Sequence, residues 1–285
     1  MRVSFGRPKD IAFTITNSAF VDANSAILAD GNPGSTARFL WPSGAQNTGV
    51  NVSIQGSWGT GIVPSCIALL NCSLPAGTLI TFALQRAGDS GYPYQVTTQR
   101  LMQNPRGEKL ALFPFAPGLT PIIGSQWKAN NDVFGTASIA AGATVDWGEL
   151  WIAPGMDLSV QSGFNVEYDD PTVMNEAELF QGFEQRRTPR RLLTITPFHL
   201  AQPDVFQGGS VNPMDFEQLL AQIDRGQRTL IIERYTDFSG AYSAALAHRT
   251  AVFGRLGKNA AVKHLTGNKW YQPAELLFKE IPIPV

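Results

Sequence analysis

Apolar and polar residues alternate along several short segments in the first part of the chain. Val50, Val52 and Ile54 form one such segment, and Thr78–Gln85 is another. A period of two places every second side chain on one face, which is typical of a half-buried strand. Turn sequences rich in Gly and Pro, such as Asp30–Gly34, separate the segments. This regular spacing predicts a jelly-roll β-sandwich over residues 1–165.

One amphipathic helix is predicted in the second half of the chain. Its apolar residues recur with the spacing of a single helix face, and they are Phe216, Leu219, Leu220 and Ile223. Asn212 is suited to the N-cap, Pro213 to the first turn and Gly226 to the position after the last turn. The pattern therefore predicts a helix over residues 213–225.

Strand patterns surround this helix at Arg191–Thr196, Thr229–Tyr235, His248–Leu256 and Ala274–Ile283. This order of elements predicts a smaller β-sandwich with one flanking α-helix over residues 190–285. The polar residues of 166–189 and the basic run 186–191 indicate a linker whose arginines are solvated or bound to a neighbouring subunit. The predicted fold class is mainly β, with an N-terminal jelly-roll β-sandwich followed by the smaller sandwich.

Composition and charge narrow the classes of partner. Charged residues make up 16% of the chain, below the roughly 25% of an average protein. The net charge of −1 gives no overall attraction to nucleic acid or to membranes. No apolar run approaches the length of a membrane span, and Met1–Phe5 lacks the apolar core of a signal peptide. We expect no membrane span and no nucleic-acid specificity.

The chain has two cysteines, Cys66 and Cys72, in one predicted strand. Six residues of extended chain separate their Cα atoms by roughly 20 Å. A disulfide needs Cα atoms within about 7 Å of each other. We therefore predict two free thiols.

Residues with catalytic chemistry do not form a recognisable catalytic motif. The histidines His199, His248 and His264 lie in no nucleophile motif of the Gly-x-Ser-x-Gly type. Asp169 and Asp170 are adjacent, so on a strand they would point to opposite faces and could not flank one glycosidic bond. The sequence therefore predicts a protein that is not an enzyme and has no catalytic residues.

Four stretches of the first half carry a family resemblance, namely Asn24–Asp30, Ala37–Trp41, Asn71–Thr78 and Asp146–Ile152. Together they resemble the galactose-binding-like (discoidin-type) jelly roll that occurs in many phage tail proteins. In the second half, Ala251–Gly257 and Phe278–Pro284 are similar to the tail-tube-like domain of phage distal tail proteins. In that family the sandwich and its helix pack side by side in a ring that continues the tail tube.

This resemblance implies a structural component of a phage tail tip or baseplate. The chain would form a ring homo-oligomer, of six copies or a trimeric variant, that joins the tail tube and tape measure to other baseplate or fibre proteins. It would reside in the virion, after assembly in the host cytoplasm. The predicted oligomer contacts are Phe253, in the predicted strand His248–Leu256, and Ile281 and Ile283, at the end of the terminal strand.

The alternative function is a carbohydrate-binding tail protein that contacts the host surface itself. Aromatic faces stack on sugar rings and also anchor protein interfaces. On this hypothesis Trp58 and Trp127 would line an exposed groove, beside the hydrogen-bonding side chains of Asn130 and Asn131.

A calcium ion is the one cofactor that the resemblance raises, because galactose-binding-like domains often bind calcium near Asp22, Asn24 and Asp30. Calcium requires six to eight oxygen ligands, which these residues could supply only in part. The alternative is that the same side chains cap turns through hydrogen bonds to their own backbone.

Overall fold

The structure is a computed structural model that describes most of the chain. The described residues are 1–7, 11–16, 18, 21, 24–41, 51–115, 120–133, 139–176, 182–185, 188–197, 199–206, 214–223, 227–256, 262–264, 270–273 and 275–283.

The described chain is mainly β, as predicted. In chain order its strands are β1 (Arg2–Ser4), β2 (Ala12–Thr16), β3 (Ala37–Leu40), β4 (Asn51–Ile62), β5 (Cys66–Cys72), β6 (Thr78–Arg86), β7 (Gln95–Arg100), β8 (Met102–Gln103), β9 (Lys109–Pro114), β10 (Ile122–Val133), β11 (Thr144–Ala153), β12 (Gly155–Asp157), β13 (Val160–Asp169), β14 (Val173–Glu176), β15 (Gly182–Gln185), β16 (Arg190–Pro197), β17 (Leu200–Ala201), β18 (Thr229–Ile232), β19 (Ala251–Leu256), β20 (Val262–His264), β21 (Trp270–Pro273) and β22 (Leu276–Glu280). Its helices are α1 (Gln202–Phe206), α2 (Phe216–Ile223) and α3 (Ala244–Thr250), and a short 3-10 helix spans Ser25–Ala29. No described helix is long and apolar enough to cross a membrane.

The chain divides into two compact units, each assembled from separate segments. The jelly-roll unit comprises Gly6–Gly155, Glu233–Thr250 and Ile283–Val285, and the mixed unit comprises Met1–Phe5, Met156–Ile232 and Ala251–Pro282. The contiguous boundaries predicted from the sequence, 1–165, 166–189 and 190–285, do not coincide with these segments. The physical reason is strand pairing over long sequence distances, since β1 pairs with β18 through Val3 and Ile231.

The jelly-roll unit consists of two five-stranded sheets. Their strand orders are β2-β4-β10-β6-β7 and β3-β11-β5-β9-β8. Without the outer strands β2 and β8, the two sheets have the order of an eight-stranded jelly roll. The core between them contains the predicted alternating residues Ile54, Ile80, Phe82 and Leu84, all fully buried.

A kink in β5 and β11 exchanges the faces of both strands. The pairs Trp147↔Cys72 and Glu149↔Leu70 place Gly148 opposite Asn71, whose φ is 72°. A Cβ at Gly148 would lie 2.6 Å from the Leu70 carbonyl oxygen, so the close approach requires glycine. Beyond the kink, Glu149 lies on the outer face of its sheet, while Trp147 points into the core.

The mixed unit contains a seven-stranded sheet with the order β12-β1-β18-β19-β22-β16-β13, together with a three-stranded sheet and the β14–β15 hairpin. Its core joins sheet residues such as Ile231 and Phe278 to Val205 of α1 and to Phe216 and Leu219 of α2. The predicted single helix therefore has a short companion. The terminal strand β22 lies between β19 and β16, in the interior of the sheet.

The helix predicted over 213–225 begins later than expected. The Oδ1 atom of Asp215 accepts a hydrogen bond from the Gln218 backbone N–H at 2.8 Å, and Gln218 Oε1 accepts one from the Asp215 N–H at 3.3 Å. This reciprocal pair is a capping box and fixes the start of α2 at Phe216. The N-cap that we predicted, Asn212, lies outside the described residues, as does Pro213.

The strand predicted over His248–Leu256 is wrong in its first part, because residues 244–250 form α3. Three alanines and a leucine precede His248, and both residue types favour helix. The predicted linker is also wrong as a linker, since it contains β14, β15 and the end of β13. Arg191 is buried in β16 and binds Glu280 through Nε at 2.8 Å, so it is neither solvated nor available to a neighbouring subunit.

Candidate functional site

The two tryptophans of the predicted sugar groove lie in the jelly-roll core. Trp127 is fully buried and packs at 6.2 Å from the Phe113 ring, and Trp58 is buried with its Nε1–H donating to the Ile122 carbonyl at 3.1 Å. The predicted aromatic groove is therefore wrong. The glycines around Trp58 favour a loop in the sequence, but β4 runs through them as one strand. Asn130 and Asn131 belong to β10, and their side chains lie outside those described.

The predicted calcium residues do not converge on a described site. Asp22 lies outside the described residues, and Asn24 is exposed, with its carbonyl accepting the Ile27 N–H at 3.3 Å. Asp30 Oδ1 accepts the Asn32 N–H at 2.7 Å, which is the turn-capping role of the alternative interpretation. The described residues contain no group of three or more His, Cys, Asp or Glu that could hold a metal ion.

The predicted oligomer contacts have little surface to offer a partner. Phe253 is 2% exposed and Ile283 is 6% exposed, so neither side chain can pack against another chain without unfolding its surroundings. Ile281 is half-buried and donates its N–H to the Phe253 carbonyl at 2.8 Å. An oligomer contact through the terminal strand requires that strand to lie at the edge of its sheet, whereas β22 has a partner strand on both sides. These contacts are therefore wrong for Phe253 and Ile283.

The adjacent carboxylates Asp169 and Asp170 make local contacts, and the three histidines lie in different environments. Asp169 binds Arg190 Nε at 2.8 Å, and Asp170 Oδ1 accepts the Thr172 N–H at 3.0 Å, which lowers the pKa of Asp170. His248 is buried, and burial lowers its pKa to about 4, partly offset by the Met102 backbone. The ring nitrogens of His248 make no well-formed hydrogen bond among the described atoms, so the contact with the Met102 backbone is weak. The side chain of His264 lies outside those described, and His199 is half-buried.

A buried ion pair joins Arg7 to Glu149 on the outer face of β11. Glu149 Oε2 also accepts the Gly31 N–H at 2.8 Å, and the Arg7 guanidinium lies 5.8 Å from the Trp151 ring centroid. Desolvation outweighs the attraction of Arg7 and raises the pKa of Glu149 to about 7. Since Glu149 has no exposed surface, this carboxyl cannot reach a substrate.

A cleft of about 280 Å³ opens in the jelly-roll unit where the turns before β3 and β9 meet the end of β5 and the start of β11. Its lining residues are Gly34, Thr36, Asn71, Cys72, Ser73, Gly107, Lys109 and Asp146. The kink at Asn71 brings the end of β5 to this place, and the tight turn before β9 contributes Gly107, whose φ is 89°. The cleft has no signature in the sequence, because its lining residues are up to 112 positions apart, from 34 to 146.

Lys109 and Asp146 are the charged residues of the cleft lining. Arg38 binds both carboxylate oxygens of Asp146, through Nε at 2.7 Å and Nη2 at 2.9 Å, so this pair is neutral overall. Lys109 is half-buried, and its ammonium makes no hydrogen bond or ion pair with the described residues. The cleft therefore carries one uncompensated positive charge.

The outer edge of β13 is the longest unpaired edge of the seven-stranded sheet. β13 spans ten residues and pairs with β16 on one side, and no other strand of the described chain pairs with it. Tyr168 near its end is 72% exposed, and Val173 in the following hairpin is 37% exposed. Apolar side chains beside an open strand edge form a surface that another strand can cover.

A rigid turn in the jelly-roll unit displays one fully exposed aromatic ring, Phe238. Asp237 Oδ1 accepts hydrogen bonds from the Ser239 N–H at 2.8 Å, the Ser239 hydroxyl at 2.6 Å and the Ala241 N–H at 3.1 Å. These bonds lower the pKa of Asp237 and fix the turn. The following Tyr242 hydroxyl donates to the Leu112 carbonyl at 3.0 Å, which ties the turn to the sheet.

Comparison with known proteins adds no family to this picture, because no family model and no curated protein matches the chain. The fold and the surfaces described above are therefore the basis for any functional proposal.

Proposed function

We propose that this chain is a non-enzymatic structural subunit of a phage tail tip, which assembles with copies of itself into a ring. The observation that carries the proposal is the open edge of β13 with Tyr168 beside it. The resemblance of the two halves to galactose-binding-like and distal-tail domains supplies the phage context.

A register shift interrupts β13 between Val160 and Phe164, and the regular part of its open edge, Phe164–Asp169, presents backbone N–H and C=O groups that can pair with another strand. Monomeric proteins usually shorten, bend or cover such edges. Here Tyr168 adds a large apolar surface next to the open backbone groups. A partner strand would satisfy the backbone groups and remove the ring from water at the same time.

Phe238 supplies a second, independent contact in the other unit. A fully exposed phenylalanine is unfavourable in water, and it is displayed here on a turn that is already ordered by Asp237. Aromatic residues dominate the binding energy of many interfaces. Because the turn is fixed in advance, little conformational entropy is lost when a partner receives the ring.

Two different surfaces on one chain favour head-to-tail contacts, which close into a ring when the rotation between subunits permits. Closure also prevents the open-ended polymerisation that an exposed strand edge would otherwise allow. The copy number of six, or a trimeric variant, follows from the distal-tail resemblance.

The first test measures the assembly state of the full-length protein by native mass spectrometry and negative-stain microscopy. We expect closed rings of one size. Tyr168→Ser and Phe238→Ser should each shift the protein toward monomers at the same concentration without lowering its melting temperature. The matched control is Val21→Ser on a different loop, where the apolar side chain is 56% exposed. This change should leave the assembly state as it is in the wild type.

Cryo-electron microscopy of intact phage particles that contain the chain provides the second test. The proposal requires copies of the chain arranged around the tube axis at the tail tip. A wild-type protein that stays monomeric in solution, and that occurs in particles only as an isolated copy on a fibre, would refute it.

A further inference from the structure

We propose that the Lys109 cleft of the jelly-roll unit binds an acidic monosaccharide, with Lys109 holding the carboxylate of the sugar. The inference goes beyond ring assembly, because it concerns a small ligand and a different set of residues. It also moves the sugar-binding hypothesis away from Trp58 and Trp127, which lie in the core.

The charge of the cleft selects an anionic ligand. Arg38 already neutralises Asp146, whereas the Lys109 ammonium has no partner among the described residues. The Lys109 side chain lines the cleft, so a carboxylate that enters it can form a charge-assisted hydrogen bond with the ammonium. The ligand should therefore carry one negative charge that enters the cleft.

The remaining polar groups suit the hydroxyls of a sugar ring. The Ser73 hydroxyl accepts the Asp146 N–H at 2.8 Å and keeps its own hydrogen to donate. Asn71 Nδ2 donates to the Pro33 carbonyl at 2.7 Å, which leaves its Oδ1 atom to accept a bond from a ligand. The Thr36 hydroxyl lines the same space and makes no hydrogen bond within the described structure.

The size and shape of the cleft fit a single ring. Its volume of about 280 Å³ lies just below the roughly 300–1,000 Å³ of sites for drug-sized molecules, as suits a ligand of one ring. The described lining contains no aromatic side chain, so recognition would depend on hydrogen bonds and charge rather than on stacking. Asn71 is held at a φ of 72° opposite Gly148, so its amide is positioned before any ligand arrives.

Isothermal titration calorimetry and saturation-transfer NMR on the full-length protein test the inference, with D-glucuronate as the probe. D-Glucose, which has the hydroxyls without the charge, and acetate, which has the charge without the ring, are the comparison ligands. We expect saturable binding of glucuronate in the millimolar range, weakened by added salt, and binding of each comparison ligand at least about tenfold weaker.

Lys109→Met keeps the aliphatic stem and removes the charge, and it should weaken glucuronate binding by about tenfold. Thr36→Val removes a hydroxyl at nearly constant volume and should weaken glucuronate and glucose alike. The matched control is Lys128→Met on β10, away from the cleft lining, and it should leave the affinity unchanged. Melting temperatures of all variants verify that they fold.

Three results would overturn the inference. The first is the absence of saturable glucuronate binding, and the second is an equal effect of Lys109→Met and Lys128→Met. The third is acetate binding as tight as glucuronate binding, which would leave an anion site without sugar recognition. None of these measurements depends on ring assembly, so the two proposals can fail separately.

Discussion

Acidification should destabilise the jelly-roll unit through His248, whose buried ring makes no well-formed hydrogen bond among the described atoms. Burial lowers its pKa from 6.5 to about 4. In the unfolded chain His248 becomes protonated as the pH falls below 6.5, whereas in the folded chain it stays neutral until about pH 4. Stability contributed by the neutral ring is therefore complete above pH 6.5 and is lost as the pH falls toward 4.

The two pKa values set the size of the effect. One pKa unit corresponds to about 1.36 kcal/mol, so the full loss is about 3 kcal/mol, and about 2 kcal/mol of it has occurred by pH 5. His248→Leu removes the titrating group and also the two unsatisfied ring nitrogens. We expect this variant to be at least as stable as the wild type at pH 7.5 and about 2 kcal/mol more stable at pH 5.

Urea unfolding followed by tryptophan fluorescence measures this difference. Five of the six tryptophans belong to the jelly-roll unit, so the signal reports on the unit that contains α3. The control is Leu246→Ala on the same helix. This variant changes no titrating group, so it should lower the free energy of unfolding by the same amount at both pH values. If the gap between His248→Leu and the wild type is equal at pH 7.5 and pH 5, His248 is not buried in the neutral form.

Three further predictions address packing and thiol chemistry. Leu219→Ala in α2 should lower the free energy of unfolding by about 2–5 kcal/mol in urea. Leu220→Ala should lower it by less, because Leu220 is only partly buried. Equal losses for the two variants would contradict the orientation of the helix. Gly254→Ala should unfold the mixed unit, since its Cβ would lie 2.3 Å from the Lys279 carbonyl oxygen, while Gly59→Ala, with open space around it, should be tolerated. Cys72, whose pKa burial raises to about 12, should resist alkylation until urea exposes it, and rapid labelling of the folded protein would disprove its burial.

Sequence reasoning succeeded where structure follows from local pattern. The alternation of Ile80, Phe82 and Leu84 predicts the buried face of β6 because each side chain reaches the core directly from its own strand. The two cysteines are free and buried in one strand, as predicted from extended-chain geometry. These inferences need no knowledge of which strands become neighbours.

Sequence reasoning failed where distant segments decide the outcome. Whether Trp58 is exposed depends on β10, whose Ile122 carbonyl accepts its indole N–H. Phe253 resembles a candidate contact in sequence, but β18 and β22 surround its strand. The cleft has no sequence signature either, because Thr36, Ser73 and Lys109 meet only after the sheets have formed.

The path of the chain explains why linear boundaries could not separate the units. Ile232 ends β18 and pairs with Ala251, the first residue of β19, yet residues 233–250 between them belong to the jelly-roll unit. Residues 233–250 form α3 and the turn of Phe238, and the Tyr242 hydroxyl fixes them to the jelly roll through the Leu112 carbonyl. A fragment that ends at residue 165 would lack these residues and would leave β1 without its partner β18. A fragment that ends at residue 165 therefore cannot present the Phe238 contact surface.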